Sequence, residues 1–152
     1  MKYISDEDKM RVALNEAKKA HDVDEVPIGA AMFDKDDNLI CANHNRRELD
    51  QNPTSHAEIL VLEEASQILG TWRLEDTTIA VTLEPDAMCA GAIVNARIRK
   101  LIYSAPNLKA GAAYSLYNIP QDPRLNHHVE IKDNILSHES EAILSSFFDS
   151  KR

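Results

Sequence analysis

Val81-Thr82-Leu83-Glu84-Pro85-Asp86-Ala87-Met88-Cys89 passes from an apolar run straight into a helix start, and this passage decides the fold. Thr77 to Leu83 reads as a strand. Pro85 suits the start of a helix and Asp86 its first turn, where a negative charge complements the exposed N–H groups. Cys89 lies three residues beyond Asp86, so two side chains able to bind a metal share one helix face. The small residues Ala90-Gly91-Ala92 let this helix lie close to a neighbour. A strand feeding directly into a helix also brings its polar residues to the carboxyl edge of a sheet, where α/β folds gather their sites.

Working outward, His56-Ala57-Glu58 marks a second helix start, running from about Ser55 to Leu69 and stopped by Gly70. Its Ile59-Leu60-Val61-Leu62 run is apolar nearly all round, which predicts a largely buried helix. An imidazole, a carboxylate and a thiol at two neighbouring helix mouths would suit zinc. Alone, each is more ordinary: a histidine near a helix start usually caps or faces solvent, and an acid there usually compensates the dipole.

The remaining segments fit the same layering. Ser5 followed by Asp8 predicts a capped first helix to about His21. Ile28–Phe33 and Leu39–Ala42, separated by Asp34-Lys35-Asp36-Asp37-Asn38, predict a hairpin. Asn43–Ser55 reads as a polar loop. A fourth strand is expected over Lys100–Ser104, a short helix near Ala112–Tyr117, a fifth strand near Val129–Ile131 and a last helix from about Ile135 to Phe148. Strands alternating with helices predict an α/β layered domain with partly parallel pairing. Cys41, inside the second strand, reads as a small buried hydrophobe.

Composition narrows the function. The chain has 152 residues, 43% of them hydrophobic, with only four glycines and six prolines, so one domain with one core and no long linker is expected over 1–152. The opening residues hold no apolar run, so no secretory leader is expected. Two widely separated cysteines, Cys41 and Cys89, exclude a disulfide framework and point to a reducing, cytoplasmic setting. A net charge of −8 argues against loose, charge-driven binding to nucleic acid, although Arg46, Arg47, Arg73, Arg97, Arg99, Lys100 and Lys109 fall beside the segments above.

Taken together, these motifs resemble the bacterial tRNA-specific adenosine deaminases of the cytidine-deaminase-like superfamily, whose signature joins His-x-Glu to Pro-Cys-x-x-Cys. The likeness extends through Glu25-Val26-Pro27-Ile28-Gly29-Ala30, His44-Asn45, Pro53-Thr54-Ser55-His56-Ala57-Glu58, Gly70-Thr71-Trp72-Arg73-Leu74-Glu75 and Val81-Thr82-Leu83-Glu84-Pro85. It implies a three-layer α/β/α sandwich with a mixed, mostly parallel five-stranded sheet. It also implies zinc held by His56 and Cys89, Glu58 as the proton carrier, and hydrolytic conversion of adenosine to inosine at the tRNA wobble position. Asn45, Ala57, Ile28, Pro85 and Phe147 would bind substrate, with Phe147 or Phe148 gripping the splayed anticodon loop; of that adjacent pair at least one belongs to the core. Arginine tRNA and a homodimer are the implied partners.

Three positions depart from the family pattern. Asp86 stands where the family has cysteine, and two readings of it compete: a carboxylate replacing a thiolate ligand, or a helix cap beside a lost metal site. Tyr114 and Ser104 stand where glycine is common; with the acidic net charge, Tyr114 leaves a deaminase of free nucleobases or nucleosides as one alternative, and Asp86 leaves a non-catalytic tRNA-binding protein as the other.

Overall fold

The computed structural model describes residues 1–152. In chain order its elements are α1 (Asp6–Asp22), β1 (Gly29–Phe33), β2 (Leu39–His44), the single turn α2 (Arg47–Asp50), α3 (Ala57–Leu69), β3 (Thr78–Leu83), α4 (Ala87–Asn95), β4 (Lys100–Ala105), a 3-10 turn (Ile119–Gln121), β5 (Glu130–Lys132) and α5 (Ser137–Asp149). Ser5 caps α1 as expected, its side chain accepting the Asp8 N–H at 3.0 Å. Gly70 ends α3 in the left-handed conformation.

The five strands form one sheet in the order β2-β1-β3-β4-β5. β1 pairs antiparallel with both β2 and β3, whereas β3–β4 and β4–β5 are parallel. The sheet is therefore mixed, with its parallel half carrying the strand-to-helix passage of β3 into α4.

Alternation along the strands divides the core in two. Ala30, Met32, Ile79, Val81, Leu101 and Tyr103 point to one face and pack with Val61, Leu62 and Ala65 of α3 and Ile93 and Val94 of α4. Ala31, Phe33, Ala80 and Ile102 point to the other and meet Met10, Ala13 and Leu14 of α1, with Ile143 of α5 alongside. This is the three-layer sandwich. The α1 layer sits close: a Cβ on Gly29 would lie 2.0 Å from the Ala13 carbonyl oxygen, so β1 can begin against α1 only as glycine. No helix is long and apolar enough to cross a membrane.

Two local expectations change. Ala112–Tyr117 forms turns rather than a short helix, because the Glu84 carboxylate takes the N–H groups of Ala113, Tyr114 and Ser115 and bends the chain around itself. The loop after β2 contains the turn α2, whose N–H groups of Glu48 and Leu49 donate to the buried Glu25 carboxylate at 3.1 and 2.7 Å. Ser104, one of the departures from the family pattern, is buried on β4 with its hydroxyl unpartnered.

Candidate active site

A cleft of about 130 Å³ opens at the carboxyl edge of β3 and is lined by Val26, Ile28, Asn45, Arg47, His56, Ala57, Glu58, Leu83, Glu84, Asp86, Asn107 and Ala110. Two helix mouths meet there. His56 occupies the capping position of α3 but makes no side-chain cap, which leaves its ring free to face the cleft. Asp86 caps α4, with Oδ1 accepting the Cys89 N–H at 3.0 Å. Pro85 thus stands one residue before the cap rather than inside the first turn. Its carbonyl accepts the Ala112 N–H at 2.8 Å, and it does not line the cleft.

His56, Asp86 and Cys89 place one donor atom each within 4.8 Å of one another. His56 Nδ1 lies 3.5 Å from Asp86 Oδ2 and 3.5 Å from Cys89 Sγ. Ligands of a tetrahedral zinc at ordinary bond lengths are roughly 3.3–3.6 Å apart, so this donor set fits a divalent cation. Electrostatics agree. Burial and the neighbouring carboxylates Glu58 and Asp86 push the Cys89 thiol far above its ordinary range, a penalty that a cation between these groups would remove.

Glu58, in the first turn of α3, is only 4% exposed. Burial, reinforced by the Asp86 charge, raises its carboxyl to about 7 against the lowering effect of its own backbone N–H and the Cys89 thiol. A carboxyl in that range can both accept and release a proton near neutrality.

A second buried carboxylate lines the same cleft. Glu84, 1% exposed, accepts from the N–H groups of Asn107, Ala113, Tyr114 and Ser115 and from the Ser115 hydroxyl. Burial acts to raise this carboxyl, but the donors led by Ser115 outweigh it and hold Glu84 below the usual glutamate range. The loop so anchored brings Asn107 and Ala110 to the cleft. A Cβ on Gly111 would lie 2.4 Å from the Glu84 carboxyl carbon, so the loop closes this tightly only on glycine.

Asn45 is 6% exposed and lines the floor. Its Nδ2 donates to the Val26 carbonyl at 3.3 Å, and its Oδ1 accepts the Arg47 N–H at 3.1 Å. The amide still keeps one N–H and one lone pair for a bound molecule. Ile28 and Ala57 line the cleft as expected. Of the seven cations near the motifs, Arg47 alone reaches it.

Phe147 does not. It is buried in the seam between α5 and α1, its ring edge-on to His21 at 5.8 Å, because helical spacing turns it inward while its neighbour Phe148 stays half exposed. Tyr114 is hydrogen-bonded only through its backbone, is 79% exposed as a residue, and does not line the cleft. Cys41 is buried, its thiol donating to the Val61 carbonyl at 3.4 Å and raised by burial to about 12. The residues not anticipated from the sequence as part of the site are Val26, Arg47, Leu83, Glu84, Asn107 and Ala110. Only Glu84 carried a usable signal, as an acid between a strand and a helix-starting proline.

Comparison with known proteins agrees with this geometry. Residues 4–152 match the family model described as MafB19-like deaminase. The chain is 46% identical over 143 residues to a tRNA-specific adenosine deaminase of Bacillus subtilis (strain 168), covering 94% of this chain and 88% of the relative. It is 39% identical over 147 residues to the tRNA-specific adenosine deaminase of Haemophilus influenzae, covering 97% and 85%. A solved structure from a study of A-to-I editing by tRNA:A34 deaminases superposes with a TM-score of 0.86 at 40% identity, covering 90% of this chain and 98% of that one. A guanine deaminase from Nitrosomonas europaea shares the fold at 23% identity, with a TM-score of 0.81. The chain belongs to the MafB19-like deaminases and, within them, to the family of the bacterial tRNA-specific adenosine deaminases.

Proposed function

We propose that this single domain hydrolyses adenosine to inosine at the wobble position of tRNA in the cytoplasm, with arginine tRNA as substrate and a homodimer as the working form. The observation that carries this reading is the buried Glu58 carboxyl beside the His56, Asp86 and Cys89 donors in one cleft. Relatives named as tRNA-specific adenosine deaminases at 39–46% identity support the choice of substrate.

His56, Asp86 and Cys89 would hold zinc, which lowers the pKa of a bound water to roughly 7 and so supplies hydroxide near neutral pH. The chain's own residues do the rest. Glu58 takes a proton from water, passes it to the purine ring nitrogen and then assists departure of the 6-amino group. Water adds at C6, the C6–N6 bond breaks, and ammonia and inosine leave. The remaining donor and acceptor of Asn45 read the base edge, while Ile28 and Ala57 exclude bulk water from its face. Arg47 at the rim suits a phosphate of the splayed strand.

Incubation of metal-loaded protein with arginine tRNA, followed by sequencing, should show the wobble adenosine read as guanosine. Conversion of free adenine or guanine while tRNA is ignored would replace this reading with that of a nucleobase deaminase. Tight tRNA binding without conversion, with metal bound, would leave a non-catalytic tRNA-binding protein.

A further inference from the structure

Asp86 is the one member of the cluster whose two donor atoms have different neighbours. Oδ1 faces the helix and accepts the Cys89 N–H at 3.0 Å, while Oδ2 faces the cluster, 3.5 Å from His56 Nδ1. Capping and ligation, alternatives when read from the sequence, are compatible in space. The other thiol of the chain is engaged elsewhere, since Cys41 is buried with its Sγ directed at the Val61 carbonyl.

We propose that Asp86 works through both oxygens. Oδ1 fixes the first turn of α4, and with it the position of Cys89, while Oδ2 is the oxygen ligand of a nitrogen–oxygen–sulfur metal centre. Exchanging thiolate for carboxylate leaves the summed ligand charge unchanged but hardens the donor set. Such a centre takes up harder divalent ions, manganese and cobalt among them, at a smaller disadvantage to zinc than a two-thiolate centre would. The inference rests on the metal-dependent reading of the cleft but not on the identity of the substrate.

Two substitutions separate the roles of the two oxygens. Asp86→Asn keeps a capping oxygen, and asparagine caps about as well as aspartate, but it removes the anionic ligand. Asp86→Cys restores a second thiolate. The metal-free proteins are titrated with zinc, cobalt and manganese, bound metal is counted by mass spectrometry, and the cobalt forms are read by absorption. The wild type should take up one equivalent and show the thiolate-to-cobalt band of a single sulfur. Asp86→Cys should show about twice that intensity and a zinc-over-manganese preference raised at least tenfold or so. Asp86→Asn should lose at least tenfold or so in affinity while its metal-free unfolding midpoint stays at the wild-type value. Wild-type affinity in Asp86→Asn, an unchanged band or preference in Asp86→Cys, or no metal uptake by the wild type would each overturn the assignment. A metal-loaded wild type that ignores adenosine would overturn the deaminase reading and leave this one intact.

Discussion

Glu58 and Glu84 are the same residue type, both nearly inaccessible and both lining one cleft, yet their environments push them in opposite directions. Glu58 sits against Asp86 and a thiol with few donors, and its carboxyl rises to about 7. Glu84 gathers five hydrogen bonds from Asn107, Ala113, Tyr114 and Ser115 and is held low. Accessible surface alone does not decide what a carboxylate does; how deeply it is desolvated, the Asp86 charge beside Glu58 and the donors around Glu84 together do. Glu58 therefore carries a transferable proton, and Glu84 is a fixed anion that shapes the loop hydrogen-bonded to it.

The contrast can be broken by exchanging charge for shape. Glu58→Gln removes the proposed proton carrier without changing volume, and turnover on tRNA should fall about 10³-fold, within the range ascribed to general acid–base groups. Metal content should hold. Single-turnover deamination beside metal analysis checks this, and a variant with wild-type turnover would end the assignment of Glu58.

Glu84→Gln should do the opposite. Its amide nitrogen would face backbone donors that now lack an acceptor, so stability should fall by about 2–4 kcal/mol. Denaturant unfolding measures it, and a loss well under 1 kcal/mol would show that the loop holds itself.

Stability against pH sharpens the comparison in the metal-free protein. Glu58 has a folded value near 7, above the 4.5 of an ordinary glutamate, so the native state binds more protons between those limits. Its contribution is full below about pH 4.5 and is lost as pH rises through 7, a change of roughly 3 kcal/mol. Glu84 is depressed, so its contribution is present above pH 4.5 and is lost as pH falls through its folded value. Glu58→Gln should flatten the high-pH side of the profile and Glu84→Gln the low-pH side. The reverse assignment of slopes would contradict the account.

Ser104 supplies the smallest test, a buried polar group with no donor or acceptor at all. Ser104→Ala should raise stability by about 1 kcal/mol, read as a shift in the unfolding midpoint.

What was legible in the sequence follows the same division. Strand alternation, Ser5, Gly70 and the β3-to-α4 passage all speak through local chemistry, and the layers follow from them. His56, Glu58 and Cys89 were legible because a motif at two helix mouths carries its own spacing. The loop from Asn107 to Ser115 was not, since its shape is set by a side chain more than twenty residues upstream and its sequence resembles a helix. Phe147 misled for a related reason. An aromatic pair on a helix says that one ring is buried but not which one, and the packing of α5 on α1 decides it.

The most direct measurement of the contrast is a carbon-detected NMR titration of the Glu58 and Glu84 side-chain carboxyls in the metal-free protein. Glu58 should titrate near pH 7, and Glu84 below the ordinary glutamate range. Two carboxyls titrating together in the ordinary glutamate range, or in the opposite order, would contradict the account.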